Sequence, residues 1–154
     1  GVPLVAYYVP TGPGTSALRY AARISGAWAP EVVDTEASYP AVAVGPNGVP
    51  QVAYVRLDYY DPSRSYSETR LLHAARVGGS WTPDVVLSTA FDGSTATGTA
   101  AQCVMMKVDR CNKPRLAYYY TQRAGSNVTG SGVYYATKGE PCPDRPPVAD
   151  AGGP

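Results

Sequence analysis

One phrase recurs three times along this chain and constrains the fold more than any other feature. Gly1-Val2-Pro3-Leu4-Val5-Ala6-Tyr7-Tyr8 returns as Gly48-Val49-Pro50-Gln51-Val52-Ala53-Tyr54-Val55 and again as Asn112-Lys113-Pro114-Arg115-Leu116-Ala117-Tyr118-Tyr119. Pro3, Pro50 and Pro114 mark the copies at spacings of 47 and 64 residues. Self-similarity at a period of roughly 20–50 residues means a supersecondary unit copied and stacked on itself. Two further motifs travel with the first. Leu18-Arg19-Tyr20-Ala21-Ala22-Arg23 matches Leu72-His73-Ala74-Ala75-Arg76 and, more loosely, Tyr134-Tyr135-Ala136-Thr137-Lys138. Ser25-Gly26-Ala27-Trp28-Ala29-Pro30-Glu31-Val32-Val33 matches Gly78-Gly79-Ser80-Trp81-Thr82-Pro83-Asp84-Val85-Val86, and this Trp motif has no third copy.

The repeated runs read as strands. Each is short, rich in Val and Tyr, and bounded by Gly, Pro or Asn. No window carries apolar residues at helical spacing over ten or more positions. Side chains alternate along a strand, so Val52 and Tyr54 share one face and Ala53 takes the other. Both faces are apolar, which predicts a sheet covered on both sides. The complete unit reads as four strands: inner (Ala41–Val44), second (Gln51–Val55), third (Leu71–Val77) and outer (Asp84–Ser88). The turn Gly45-Pro46-Asn47-Gly48 joins the first two, Asn-Gly being a strong tight-turn signal.

Four antiparallel strands per repeat describe a β-propeller blade. The combination Gly-x-Pro-x-Val-Ala-Tyr-Tyr, Leu-x-Tyr-Ala-x-Arg and Gly-x-Trp resembles the repeats of secreted bacterial propeller proteins. It differs from the sialidase Asp-box, which Gly79-Ser80-Trp81-Thr82 only grazes. The predicted fold is all-β: an incomplete β-propeller of stacked four-stranded antiparallel blades, about two and a half units. Residues 1–140 carry the blades, with 1–37 a partial blade, 38–90 a full one and 103–140 another partial one. Residues 141–154 read as a Pro/Gly-rich linker. Within it, Pro147-Val148-Ala149-Asp150-Ala151-Gly152 resembles the opening of a PKD domain, an Ig-like module of surface and secreted proteins. Propellers close with about 4–8 blades. The expectation is therefore a piece of a longer ring, a ring or sheet completed by other chains, or an open stack capped by loops.

Composition narrows the function classes. The formal net charge is +1 and 16% of residues are charged, which gives no electrostatic case for nucleic acid or an anionic membrane. No run of about 18 apolar residues predicts a membrane-spanning helix. Gly (16), Pro (15) and Tyr (13, against one Phe) describe a turn-dense all-β chain with polar-tipped aromatics. The resemblance implies a secreted or cell-surface setting.

Three cysteines constrain the third unit. Cys103 begins its inner strand and Cys111 lies in the following turn, at the opposite end. About five strand residues at roughly 3.3 Å each separate them, more than the 7 Å or so a disulfide tolerates. The third strand returns toward that turn and Cys142 follows it. The expected disulfide is Cys111–Cys142, with Cys103 a buried free thiol; the alternative is three reduced thiols. With one His far from every Cys, no zinc-ligand spacing exists, and no cofactor is expected.

His73 aligns with Tyr20 and Tyr135 and so fills a core position of the repeat. Trp28 and Trp81 recur at matching positions, which favours packing between blades over sugar platforms. Arg23, Arg76 and Lys138 recur at the end of the third strand, which favours a solvated edge or a carboxylate partner. Asn127-Val128-Thr129 fits a glycosylation sequon.

The variable regions are the second-to-third loops, about Val9–Ala17, Arg56–Arg70 and Gln122–Gly132, and the outer-to-inner links. Both classes lie at one end of the blade, where binding loops sit on a rigid scaffold. The stretch from Arg56 to Tyr66 does not repeat. It supplies the candidate ligand-binding residues Asp58, Tyr59, Tyr60, Asp61, Arg64 and Tyr66. Tyr offers a flat apolar face with a hydroxyl, suited to a sugar ring or a protein surface. Asp58 and Asp61 could serve as a carboxylate pair for glycoside chemistry or as Ca²⁺ ligands; a plain solvated loop accounts for the same residues. The expected role is an extracellular, non-enzymatic module that binds protein or glycan, or assembles. The alternatives are a structural subunit that self-associates through unpaired blade edges, and a fragment of a propeller-type carbohydrate-active enzyme using Asp58, Asp61 and Arg64.

Overall fold

A computed structural model describes residues 1–13, 15–61, 66–91, 97–124, 127–139 and 142. The chain runs β1 (Leu4–Gly12), β2 (Thr15–Ile24), β3 (Ala27–Asp34), β4 (Ser38–Val44), β5 (Pro50–Asp61), β6 (Tyr66–Val77), β7 (Ser80–Phe91), β8 (Thr97–Val108), β9 (Pro114–Ala124) and β10 (Asn127–Thr137). These strands build three antiparallel sheets: β1-β2-β3, β4-β5-β6-β7 and β10-β9-β8. The protein is all-β, and its described residues form neither a closed barrel nor a ring.

The repeat is written into the strand register. Ala6 lies opposite Tyr20 in the first sheet, Ala53 opposite His73 in the second and Ala117 opposite Tyr135 in the third. Even an irregularity is copied. Leu18 pairs with Asp34 and Arg19 with Val32, so Val33 is the extra residue of a bulge. Leu71 pairs with Leu87 and Leu72 with Val85, so Val86 is its counterpart. A bulge bends its strand and increases the local twist, so these two outer strands bend at the same place.

The turns repeat too. The Gly48 N–H donates to the Gly45 carbonyl, and the Asn112 N–H to that of Asp109. Gly48 (φ 75°) and Asn112 (φ 60°) hold the left-handed conformation that this turn needs, and Asn tolerates it better than most residues. The two-residue turns Ser25-Gly26 and Gly78-Gly79 have positive φ at both positions, as a primed hairpin turn requires.

Alternation along the strands gives the middle sheet two apolar faces, and each meets a neighbouring sheet. On one side Val52, Tyr54, Leu72 and Ala74 cluster with Leu18 and Ala37 of the first unit, with Trp81 against them. On the other, Ala53, Val55 and Leu71 cluster with Val104, Leu116 and Tyr118 of the third. Val52, Ala53 and Tyr54 have no solvent exposure at all. Fully burying a Val- or Leu-sized side chain contributes about 1.5–3 kcal/mol, so the larger members of these two clusters hold the stack together. The Trp81 and Tyr20 rings meet edge-to-face with centroids 5.2 Å apart, so Trp81 packs between sheets as expected, whereas its counterpart Trp28 is exposed on the first sheet.

Ion pairs between sheets repeat as well. Arg76 Nε donates to Glu31 Oε1 at 2.7 Å, from the second sheet to the first. Lys138 reaches Asp84, from the third sheet to the second, at the equivalent positions. Two of the three recurring cations, Arg76 and Lys138, therefore take carboxylate partners on the sheet before them, while Arg23 donates to the Gly26 carbonyl of its own turn.

The Cys111–Cys142 disulfide is present, with Cα atoms 5.7 Å apart. It ties the β8–β9 turn to the segment after β10. Cys103 lies on β8, and its side chain is outside the described residues.

The strands are longer than their apolar runs. β5 continues past Val55 to Asp61 and pairs with β6 from Tyr66 onward. The expected loop Arg56–Arg70 is thus largely a two-stranded arm. β1–β2 and β9–β10 extend in the same way, to Gly12 and Ala124. A hairpin arm needs only backbone partners, so it continues where the sequence has turned polar.

Candidate functional site

The second arm leaves the stack through a polar network. Asp34, at the end of β3, accepts hydrogen bonds at Oδ2 from the Tyr54 hydroxyl at 2.9 Å and from Arg56 Nη1 at 3.3 Å. Arg56 Nε in turn donates to Asp58 Oδ1 at 2.7 Å. Arg70 grips the same carboxylate with two bonds of 2.5 Å, Nε to Oδ2 and Nη2 to Oδ1. The network therefore runs from the first sheet across to the arm of the second.

Its local cause lies in the register. Arg56 and Arg70 stand directly opposite each other on β5 and β6, an arrangement of like charges that destabilises a strand pair. Leu57 pairs with Thr69 and Tyr59 with Glu68, which leaves Asp58 as the extra residue of a bulge. The bulge delivers one carboxylate to two guanidiniums, in the planar two-point geometry that suits Arg. The Arg70 hydrogen bonds, followed by those and the charge of Arg56, outweigh burial and hold the Asp58 carboxyl below its ordinary range. Tyr54 is pushed the other way, first by burial and then by the Asp34 charge and hydrogen bond. It stays a neutral donor.

This geometry limits what Asp58 can do. Both its oxygens are engaged by guanidinium groups, so it is neither a proton donor for glycoside cleavage nor an open oxygen ligand. Two adjacent cations also disfavour a third. Asp58 bridges Arg56 of β5 and Arg70 of β6 at the root of the arm. Tyr59, Tyr60 and Asp61 follow it on β5, and Tyr66 opens β6 opposite Asp61. The side chains of these four, and Arg64 altogether, lie outside the described residues.

Asp34, Tyr54, Arg56 and Arg70 complete the network without having been named as candidate ligand-binding residues from the sequence. A signal existed for Asp34. Its repeat counterpart is Leu87, so a charge stands where the other copy has an apolar residue.

Elsewhere, His73 is buried, and its Nε2 lies 2.8 Å from Gln51 Oε1. Gln51 Nε2 donates to the Asn112 carbonyl at 3.3 Å, joining the second sheet to the third. Burial above all, helped by the Lys138 charge and opposed by Asp84, lowers the His73 pKa to about 4. This is a neutral core histidine at a repeat position. At the opposite end from the arms, Asp109, Cys111 and Cys142 come together. Their sulfurs are joined in the disulfide, so no thiolate is available to a metal. Asp109 instead caps the turn, accepting the Cys111 and Lys113 N–H groups at 2.9 Å each.

No protein-family model, curated protein or solved structure matches this sequence.

Proposed function

We propose that the chain is a run of β-propeller-type blades from an extracellular binding module, whose arms meet a protein or glycan partner. One observation carries this reading. The three second-to-third hairpins all lengthen beyond the stacked core at one end, while the opposite end has tight, repeated turns. An arm projecting from a rigid stack is exposed to ligand and costs little further ordering on binding. The root of the second arm is fixed by the Asp34–Arg56–Asp58–Arg70 network. Beyond that root the sequence presents Tyr59, Tyr60, Asp61, Arg64 and Tyr66, a composition typical of adaptable recognition surfaces. A disulfide accords with an oxidising compartment.

The test is a screen of the labelled chain against a glycan array and extracellular proteins, repeated with Tyr59→Ala and Tyr60→Ala. We expect a ligand whose affinity falls about tenfold or more on removing an aromatic anchor. A ligand indifferent to every arm substitution would refute the reading, as would the absence of any ligand. Turnover of a polysaccharide that is lost in Asp61→Asn would replace binding with hydrolysis.

A further inference from the structure

Among the described residues, the middle sheet is covered on both faces and the outer sheets on one. Their uncovered faces carry identical or similarly apolar residues at the positions that meet inside the chain. On the first sheet, Val5 stands where Val52 and Leu116 stand, Tyr7 where Tyr54 and Tyr118 stand, and Trp28 where Trp81 stands. Val52 is fully buried against the preceding sheet, whereas Val5 is 39% and Trp28 51% exposed. On the third sheet, Ala117 stands where Ala6 and Ala53 stand, Val133 where Leu18 and Leu71 stand, and Tyr135 where Tyr20 stands. Leu18 and Leu71 are buried against the following sheet, whereas Val133 is 78% and Tyr135 66% exposed. Met105, opposite Ala117, adds to the same face at 70%.

We infer that a second copy of this chain docks head to tail, the first sheet of one copy on the third sheet of the other. The joint repeats the one between the first and second sheets. Trp28 of one copy lies edge-on to Tyr135 of the other, as Trp81 does to Tyr20. Val5 and Tyr7 cover Ala117 and Val133, as Val52 and Tyr54 cover Ala6 and Leu18. One ion pair is missing from this joint. Arg23 occupies the position of Arg76 and Lys138, but the third sheet has no outer strand among the described residues to carry its acid. Arg23 bonds the Gly26 carbonyl of its own turn instead. The two faces differ, so the contact is heterologous: each copy keeps one face uncovered, and association continues until a ring closes or a filament grows. This proposal uses the sheet faces and is independent of any ligand on the arms.

The experiment is sedimentation of the intact, oxidised chain up to about 100 μM, where an interface of micromolar Kd is nearly saturated. Wild-type, Trp28→Asp and Val133→Asp are run alone, and the two variants are then mixed. Both substitutions fall on exposed positions, and circular dichroism confirms that the variants fold. Wild-type is expected to grow in mass with concentration beyond a dimer or to a closed ring. Each variant alone loses this association, having lost one of the two faces. The mixture restores a one-to-one dimer and nothing larger, because each variant supplies the face the other lacks. A monomeric wild-type would overturn the proposal. So would Val133→Asp dimerising alone through like faces, or association in both variants through strand edges.

Discussion

At the scale of single residues, the most consequential is His73, the one titrating imidazole in the chain. Its pKa falls from 6.5 to about 4 on burial. Between these values the unfolded chain binds a proton that the folded chain does not. Stability is therefore complete above about pH 6.5, declines as pH falls toward 4, and levels off below. A shift of this size is worth up to about 3 kcal/mol. Asp58 and Asp84, whose pKa values are lowered from 3.8, lose their contributions only at still lower pH. Urea titrations at pH 7 and 4.5 should show the loss, and His73→Tyr, which installs the residue of the other two copies, should abolish the difference. An unchanged difference in His73→Tyr would assign it to another group. The core role of His73 was legible because Tyr20 and Tyr135 share its position. Its Gln51 partner was not, because Leu4 and Arg115 occupy the equivalent sites. The Asp34–Arg56 contact was hidden too, since it joins different copies of the repeat.

At the scale of elements, the turns carry a sharper expectation. Ser25 and Gly78 occupy one repeat position with φ of 50° and 59°, and Gly26 and Gly79 the next with φ of 86° each. A side chain in the left-handed region costs about 1 kcal/mol relative to glycine. The extra flexibility that glycine gives the unfolded chain offsets part of that gain. Ser25→Gly should therefore stabilise by about 0.5 kcal/mol, and Gly79→Ala should destabilise by about 1 kcal/mol. Denaturant midpoints measure both, and a destabilising Ser25→Gly would contradict the turn geometry. The strands themselves were legible as Val- and Tyr-rich runs between turn residues. Their ends were not. Past Val55 the apolar signal stops, yet β5 runs on to Asp61, because backbone pairing and the clamp on Asp58 do there what burial does in the core. The matched bulges at Val33 and Val86 were invisible for a similar reason: a one-residue register shift leaves no mark on alternation seen one strand at a time.

At the scale of the molecule, the stack follows from a sheet that is apolar on both faces and copied along the chain. The Val52 face and the Ala53 face each require a cover, and the neighbouring copy provides it with matching residues. The sequence carried this much through its repeats. The total number of units is a property of how each sheet rotates against the next, which no motif encodes. The claim on which the stack, the binding end and the head-to-tail joint all depend is that equivalent faces meet. Nuclear Overhauser contacts from the Trp81 indole test it most directly. Stacked copies predict strong cross-peaks to the ring protons of Tyr20, whose centroid lies 5.2 Å away on the preceding sheet. An indole that shows cross-peaks only to residues of its own sheet would contradict the account.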